Sequence, residues 1–202
     1  NGRDIPDGIS FKIEHRGTVV PMRIHKAFGR PQAYSAAAAS AVGICLNLNL
    51  VQISQALESY EPPPGRGRLL KGIKESWIID DTYNASPESM RAGLELLAKI
   101  PAKRRIAVLG DMLEIGKYTE EAHRSIGDYT AQAADILFTV GERARFIADE
   151  AKTRGIEPKP RRLEPSNVFV FDDSSEAGRK LDGILQQGDI VLVKGSRSMH
   201  ME

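Results

Sequence analysis

The positions of apolar and polar residues divide the chain into a short first region and a longer second one. Residues 9–24 alternate between apolar and polar side chains around a central Arg-Gly pair, a pattern typical of a β-hairpin. Two helices are predicted next from their apolar spacing, at 32–47 and 51–59. The first of them is rich in alanine, and we expect its residues 36–39 to pack closely against a neighbouring element.

A proline-rich segment separates the two regions. Three consecutive prolines at 62–64 cannot continue a helix, and they stiffen the chain. Two glycines follow closely, and because bending concentrates at glycines we expect the segment 62–67 to act as a hinge. The domain boundary is therefore predicted near the last proline, between a first domain at 1–64 and a second domain at 65–202.

Apolar runs and helical patterns alternate through the second region. Strands are predicted at 76–81, 104–110, 135–140, 167–171 and 189–194. Helices are predicted at 87–100, 119–133, 142–154 and 174–186. Successive strands lie roughly 20–30 residues apart, the spacing of βαβ units. The continuously apolar runs 106–109 and 190–193 are typical of strands buried on both faces. The predicted fold class is α/β, with a doubly wound, mostly parallel sheet preceded by a smaller α/β region.

Composition excludes some function classes without choosing among the rest. The 202 residues include 28 basic and 27 acidic ones, which gives no support for a nucleic-acid or membrane-surface partner. Cys45 is the only cysteine, so no internal disulfide can form, and we expect a buried thiol among its alanine and leucine neighbours. No apolar run is long enough for a membrane span and no signal peptide is visible, so we expect a cytoplasmic location. From its first and last residues we also expect the chain to be cut at both ends.

Several common ligand-binding motifs are missing from the sequence. Segment 110–117 is close to a phosphate-binding loop, but it has five residues between its glycines where that loop has four, and Tyr118 replaces the required hydroxyl residue. No dinucleotide-binding glycine motif occurs. The four histidines are scattered, and each is expected to be a surface or structural residue. No metal-ligand motif is present, so no metal site is predicted.

Segment 77–90 carries the strongest indication of a binding site. Its apolar strand runs into Asp81, Tyr83 and Asn84, and a Ser-Pro pair suited to the start of a helix follows. Ligands of open α/β sheets bind at the carboxyl ends of strands, so these three side chains are predicted to lie in a ligand crevice. The alternative is an ordinary polar turn between a strand and a helix.

Two later strand ends add further candidates. The loop 110–116 holds Asp111 and Glu114, which either contribute charge to a site or belong to a simple connection bounded by glycines. The segment 194–197, Lys-Gly-Ser-Arg, combines backbone amides with two cations, a composition suited to binding an anion. A charged surface turn is the alternative for this last segment.

Three long segments, taken in their order and spacing, resemble one enzyme family. They lie at 77–90, 104–116 and 189–202, and they are similar to the C-terminal part of the MurF family in the Mur ligase superfamily. The resemblance implies a Rossmann-like C-terminal domain preceded by a remnant of the central ATP-binding domain. It also implies an ATP-dependent carboxylate–amine ligase. Such a ligase adds D-alanyl-D-alanine to UDP-N-acetylmuramoyl-tripeptide through an acyl phosphate in peptidoglycan synthesis.

The resemblance implies nucleotide-binding roles for five residues. Arg66 would reach the nucleotide from the C-terminal side as a catalytic residue, whereas composition alone favours a solvated, flexible linker there. Asp81 would accept hydrogen bonds from the ribose hydroxyls, and Tyr83 and Asn84 would complete the same loop. Gln32 would offer its amide group to adenine.

The first region departs from the family pattern. Where the family has a histidine and two asparagines after a glycine, this chain has Pro31, Gln32 and Ser35. Gln32 keeps an amide with both a donor and an acceptor, whereas Ser35 is a weaker substitute for asparagine. The departure affects the implied adenine contact and leaves the resemblance of the rest of the chain intact.

The resemblance places the amino substrate at the other two strand ends. Asp111 or Glu114 would neutralise the ammonium group of this substrate, and the sequence does not choose between them. Ser196 and Arg197 would bind the dipeptide carboxylate or close over the acyl phosphate. Lys194 would be a catalytic cation at the same place.

The implied cofactors and partners follow from the implied reaction. ATP would be required together with Mg²⁺, whose ligands would lie mostly outside this sequence. Because the P-loop lysine is missing, we expect the chain to be inactive by itself. The partners would be the two substrates, with no nucleic acid and no membrane span, and we expect a monomer. The alternatives are another amino-acid ligase of the superfamily and a non-catalytic nucleotide- or dipeptide-binding module.

Overall fold

Residues 8–154 and 163–202 are described by the computed structural model, and they divide into two units. The first unit ends at Pro63, and the second begins at Pro64. The first unit contains β1 (Gly8–His15), β2 (Thr18–His25), α1 (Arg30–Cys45) and α2 (Leu50–Glu58).

The first unit is built on the predicted β-hairpin. Strands β1 and β2 pair antiparallel, and the pairing continues to His15 and Thr18 on either side of the turn. Arg16 and Gly17, the two turn residues, have φ values of 51° and 78°. Positive φ at both central residues is the geometry of the type I′ turn, whose twist matches that of the flanking strands. The core of this unit consists of Met22, Ile24, Ala27, Ala36, Leu50, Ile53 and Leu57.

Helix α1 packs through a single narrow stripe of buried residues. Two predictions, for residues 36–39 and for Cys45, differ from this arrangement. Ala36, Ser40 and Gly43 are buried, whereas residues 37–39 are exposed, so the expected close packing of 36–39 is wrong for three of the four. Cys45 is also exposed, and the prediction of a buried thiol is wrong. The physical reason is the helical period of 3.6 residues, which places Cys45 half a turn away from Ala36.

The second unit contains the larger sheet. Its strands are β3 (Arg68–Lys71), β4 (Trp77–Asp80), β5 (Arg104–Gly110), β6 (Ile136–Val140), β7 (Val168–Phe171) and β8 (Asp189–Lys194). Its helices are α3 (Pro87–Lys99), α4 (Thr119–Ala133), α5 (Arg145–Arg154) and α6 (Ser174–Ile184). The strand order is β3-β4-β8-β5-β6-β7, and every pair is parallel except β3 with β4. The predicted α/β class with a mostly parallel sheet is confirmed.

Helices cover both faces of this sheet. On one face Val191 of β8 belongs to an apolar cluster with Ala177 and Leu185 from α6 and the residue after it. On the other face Leu192 lies against α3, where a Cβ added to Gly93 would be 3.2 Å from a Leu192 methyl group. Both strand residues are 0% exposed, which agrees with the continuous apolar run in the sequence.

The order of the strands along the chain reverses at β8. The chain moves across the sheet from β4 through β5 and β6 to β7, and β8 then returns to lie between β4 and β5. The carboxyl ends of β4, β8 and β5 are therefore neighbours at the point where the order changes. This is the place where ligands of open α/β sheets bind.

Helix α3 begins at this edge as predicted. The Ser86 hydroxyl accepts a hydrogen bond from the Ser89 backbone N–H, and the Ser89 hydroxyl accepts one from the Ser86 N–H. Pro87 occupies the first helical position. This reciprocal cap satisfies two backbone donors and fixes the start of the helix.

The opposite edge of the sheet is fixed by a partly buried ion pair. Arg104 donates to both carboxylate oxygens of Asp189, at 2.9 Å and 2.6 Å, and its hydrogen bond with Asp189 raises the pKa of the guanidinium. Burial raises the pKa of the nearby Asp135 carboxyl. Within residues 8–154 and 163–202, no helix has the length and apolar composition that crossing a bilayer requires.

Candidate functional site

The loops after β4, β8 and β5 are joined to one another by hydrogen bonds. The Asp81 N–H donates to the Val193 carbonyl at 3.0 Å, and the Ser196 N–H donates to the Asp111 carbonyl at 2.9 Å. The Leu113 N–H donates to the Ser196 hydroxyl oxygen at 2.9 Å. The three strand ends that the sequence indicated separately thus form one connected surface.

An open cleft of about 830 Å³ lies on this surface. It is lined by Tyr83, Asn84, Ala85, Ser86, Pro87, Leu113, Glu114, Ile115, Ser196, Arg197, Ser198 and His200. Because the first residues of α3 border the cleft, the positive end of the helix dipole lies beside it. The cleft therefore combines apolar surface with charges of both signs.

Glu114 holds an unusual backbone conformation within the cleft. Its φ is 64°, in the left-handed region that glycine adopts most readily. Its carboxylate is exposed. A glutamate at such a position costs stability relative to glycine, and strained residues of this kind concentrate at functional sites. His200, also in the cleft, has a φ of 46°.

Asp111 does not lie in the cleft, in contrast to the expectation that it is available to a substrate. It is 6% exposed, and its carboxylate accepts a hydrogen bond from the Ala144 N–H at 2.7 Å. A Cβ added to Gly141 would be 2.6 Å from the same carboxylate oxygen, so the neighbouring loop encloses it closely. Asp111 holds the loop after β5 to the start of the α5 region, and Glu114 is the acidic residue that lines the cleft.

Lys194 also differs from its predicted role as a cation available to an anion. It is 2% exposed, and its ammonium group donates to Asp81 Oδ2 at 2.6 Å and to the Asn84 carbonyl at 2.8 Å. The charge of Lys194 is directed at the loop after β4 because Asp81 lies alongside the end of β8. Lys194 therefore stabilises the position of a candidate binding loop, and it is not among the residues that line the cleft.

Asp80 fastens the same loop from the other side. Its carboxylate accepts hydrogen bonds from the Gly65 N–H at 2.8 Å and from the Thr82 hydroxyl at 2.7 Å. The Tyr83 N–H in turn donates to the Gly65 carbonyl at 3.0 Å. Gly65 is thus tied to the rest of the second unit by two hydrogen bonds, and the hinge expected at 62–67 stays a prediction.

Two arginines converge on the ring of Tyr83. The guanidinium carbon of Arg66 lies 3.7 Å from the ring centroid, and that of Arg197 lies 4.9 Å from it. Both distances are within the range of cation–π attraction. Arg66 and Arg197 are exposed, and Tyr83 is 40% exposed, so the three side chains form a positively charged surface beside the cleft.

Asn84 contributes mainly to the shape of its loop. Its side-chain oxygen accepts a hydrogen bond from the Ala85 N–H at 2.8 Å, and its carbonyl accepts from Lys194. The Asn84 residue nevertheless lines the cleft and is exposed.

His123 stabilises the loop that follows β5. Its Nδ1 donates to the Thr119 carbonyl at 2.7 Å, which leaves Nε2 to accept a hydrogen bond from the Met112 N–H at 3.0 Å. The imidazole is 0% exposed, and burial lowers its pKa, a direction that the Thr119 and Asp111 oxygens oppose. The neutral ring holds the loop after β5 in place, which confirms the expectation of a structural histidine at this position.

Residues 65–197 match the family described as Mur ligase, glutamate ligase domain, which is more than half of the chain. The chain belongs to the Mur ligase family.

Relatives within the Mur ligases confirm the more specific resemblance to MurF. The UDP-N-acetylmuramoyl-tripeptide–D-alanyl-D-alanine ligase of Synechocystis sp. is 36% identical over 163 residues, which are 80% of this chain and 34% of that protein. The ligase of the same name from Treponema pallidum is 33% identical over 86% of this chain and 36% of that protein. The chain thus spans about a third of the length of the curated relatives it matches.

Solved Mur ligases share the fold. A MurF crystal structure from Acinetobacter baumannii is 25% identical, with a TM-score of 0.78 over 98% of this chain and 42% of that chain. MurF from Thermotoga maritima, solved in complex with ADP, is 23% identical, with a TM-score of 0.78 over 98% of this chain and 43% of that chain. The predicted Rossmann-like C-terminal Mur ligase domain is confirmed.

The remaining predicted site residue of this Mur ligase lies in the first unit. Gln32 is partly buried in the first turn of α1, and its N–H donates to the Gly29 carbonyl at 3.2 Å. The other candidates, from Arg66 to Arg197, all belong to the second unit.

Sequence reasoning missed several residues of the site. The loop supports Thr82, which donates to Asp80, and His123, which accepts from Met112, were not predicted. His200 and Ser198 were more accessible to inference, because they follow Ser196 and Arg197 directly in the segment that resembles the family. Among the described residues, no group of three or more His, Cys, Asp or Glu side chains is placed to hold a metal ion.

Proposed function

We propose that the chain is part of an ATP-dependent ligase that adds D-alanyl-D-alanine to UDP-N-acetylmuramoyl-tripeptide, the activity named for its relatives. The observation that carries this proposal is the cleft at the carboxyl edge of the sheet. Glu114 supplies negative charge there, and Arg197 and the start of α3 supply positive charge. A free dipeptide is a zwitterion, so its two ends match a cleft with charges of both signs.

The apolar lining of the cleft suits the side chains of the same substrate. Pro87, Leu113 and Ile115 contribute carbon surface next to the charged groups. Two alanyl methyl groups would be removed from water against such a surface, while the charged ends fix the orientation of the dipeptide.

Glu114 is proposed to hold the ammonium group of the dipeptide. Asp111, the other candidate, already accepts a backbone hydrogen bond in a buried position. The exposed carboxylate of Glu114 and its strained backbone both favour it for this role. Ser196 and Arg197 are then proposed to contact an anion, which is either the dipeptide carboxylate or the acyl phosphate.

The proposed reaction passes through an acyl phosphate. The terminal phosphoryl group of ATP is transferred to the tripeptide carboxylate, which gives ADP and the acyl phosphate. The dipeptide amine, having lost a proton, attacks the acyl carbon, and inorganic phosphate leaves as the amide bond forms. Activation replaces a poor leaving group by a good one, so the residues of this chain contribute by positioning the amine and by neutralising charge.

Asp81 and Arg66 are proposed to contact the nucleotide. One carboxylate oxygen of Asp81 is engaged by Lys194, and the other has no hydrogen-bond partner among the described residues. This second oxygen is a suitable acceptor for a ribose hydroxyl. Arg66 is suited to phosphate oxygens because a guanidinium stays charged and donates in a planar fork. Tyr83 and Asn84 flank this site, and Gln32 is proposed to contact adenine.

The residues described here present no cluster of metal ligands, and the proposal assigns Mg²⁺ no ligand among them. Residues 1–64 are proposed to belong to the central ATP-binding domain, and residues 65–202 to form the C-terminal domain. We further propose a cytoplasmic, monomeric enzyme in which this part of the chain has no ligase activity by itself.

Titration of the ¹⁵N-labelled chain with D-alanyl-D-alanine tests the proposal. We expect chemical-shift changes confined to the cleft. Glu114→Gln should weaken binding about tenfold by removing a charge-assisted contact, whereas the exposed Glu121→Gln outside the cleft should not. The N-acetylated dipeptide, which lacks the ammonium group, should bind equally weakly to the parent and to Glu114→Gln. Shifts spread over other surfaces, or no binding at millimolar dipeptide, would contradict the proposal.

A further inference from the structure

The cluster of Tyr83 with two arginines brings distant parts of the chain together. Arg66 precedes β3 and Arg197 follows β8, yet their guanidinium carbons lie 3.7 Å and 4.9 Å from the same ring centroid. Neither strand end requires an arginine to point at this ring, because both side chains are exposed and long enough to extend into solvent. Both charges therefore share a contact with this one ring.

Two like charges at one place repel each other, and the ring offsets part of this repulsion. An aromatic ring presents a negative face, which attracts a guanidinium group within about 6 Å of its centroid. Water and salt weaken the repulsion at an exposed site without removing it. An anion with several oxygens would offset it further, because each guanidinium donates hydrogen bonds in a planar fork that matches such oxygens.

The backbone beneath the cluster is fixed. The Tyr83 N–H donates to the Gly65 carbonyl, and the Gly65 N–H donates to Asp80, so the ring and Arg66 start from segments that are tied together. Gly65 has a φ of 74°, and a Cβ at this position would be 2.9 Å from the Tyr83 nitrogen. This close approach places the residue after Gly65 directly beside the ring.

We infer that Tyr83 is a positioning residue that holds Arg66 and Arg197 as a paired-guanidinium site for a phosphoryl group. The inference rests on the proposed function for the source of that group, the acyl phosphate or the transferred phosphate of ATP. It decides between the two anions left open for Arg197, since the cluster unites this arginine with the residue assigned to the nucleotide. The dipeptide carboxylate is then left to the Ser196 hydroxyl and the start of α3.

Inorganic tripolyphosphate, titrated into the 202-residue chain by calorimetry, probes this site without involving the dipeptide. Tyr83→Leu and Arg197→Gln should each weaken tripolyphosphate binding about tenfold. Tyr83→Phe keeps the ring and should restore affinity to within about twofold. Tyr129→Leu is the matched control, because Tyr129 is 37% exposed and has the Arg91 guanidinium carbon 5.9 Å from its ring centroid. This control should bind tripolyphosphate as the parent does.

A second measurement separates positioning from general stability. The Nε–H resonances of Arg66 and Arg197 should show upfield ring-current shifts that disappear in Tyr83→Leu and persist in Tyr83→Phe. The effect of Arg197→Gln on the affinity for D-alanyl-D-alanine separates the two anions left open for this residue, whereas loss of dipeptide binding with Glu114→Gln tests the proposed function separately. The inference is overturned if the parent fails to bind tripolyphosphate or if Tyr83→Leu binds it as the parent does. It is also overturned if Arg197→Gln weakens the binding of D-alanyl-D-alanine and leaves the binding of tripolyphosphate unchanged.

Discussion

The two units of the chain bury their apolar residues in different ways. In the second unit, Val191 and Leu192 are each 0% exposed, on opposite faces of a sheet covered by helices on both sides. In the first unit, α1 leaves Tyr34, Val42 and Leu46 mostly exposed, with Leu46 at 69%. The second unit therefore has a core in which each strand is held from both sides, whereas α1 is packed through a single stripe.

This difference explains where the candidate site is well defined. In the second unit, packing fixes the strand ends. The buried Lys194 and His123 and the partly buried Asp80 fix the loops that follow. Gln32, in contrast, begins a helix whose outer side is open. A helix that is apolar nearly all round is ordinarily buried on more than one side. The site residues owe their geometry to the covered sheet.

A leucine-to-alanine substitution in each unit should give the largest difference in stability between the two units. Leu192→Ala removes a fully buried side chain and should lower the free energy of unfolding by about 2–5 kcal/mol. Leu46→Ala removes an exposed one and should change it by less than about 0.5 kcal/mol. Urea unfolding, followed by the fluorescence of Trp77 in β4 and by circular dichroism, measures both. Similar losses for the two variants would show that α1 is packed as tightly as the sheet.

The ion pairs of the two units provide a second test. Lys194→Met leaves the Asp81 carboxylate without its buried partner and should lower the free energy of unfolding by about 2–3 kcal/mol. This loss is smaller than for a fully buried pair, because the Asp81 side chain is 26% exposed. Adding Asp81→Asn should recover part of this loss. Lys26→Met breaks the exposed pair with Glu61 in the first unit and should cost at most about 1 kcal/mol. Equal costs for the two lysines, or no recovery in the double variant, would argue against a structural Lys194.

Acid sensitivity should show the smallest difference, through His123. Its pKa is lowered in the folded protein, so its contribution to stability is complete above the unfolded pKa of about 6.5 and is lost as the pH falls towards the folded value. One such group changes stability by at most about 1.4 kcal/mol per pH unit. His123→Gln should flatten the decline in urea stability below this pH. An unchanged slope in His123→Gln would mean that the imidazole is protonated as readily in the folded protein as in the unfolded one.

Several elements of the fold were predictable because local pattern and tertiary context agree. Strands β5 and β8 are continuously apolar, and the hairpin turn at Arg16 and Gly17 has a local conformational cause. Strand β3 was not predicted, because its four residues follow prolines and glycines and pair only at the edge of the sheet. Its antiparallel partner is β4, so its existence depends on a pairing that no periodicity within four residues reveals.

The candidate site shows the same division between local and distant causes. The apolar runs were enough to predict which segments meet at the carboxyl edge, because parallel βαβ units place strand ends together, and three long motifs indicated the family. What each charged side chain does there depends on tertiary contacts. It directed Lys194 and Asp111 to buried partners, left Glu114 in the cleft, and brought Arg66 and Arg197 to one ring. The position of a charged side chain is set by the nearest opposite charge or hydrogen-bond donor in space, and those partners are far away along the chain.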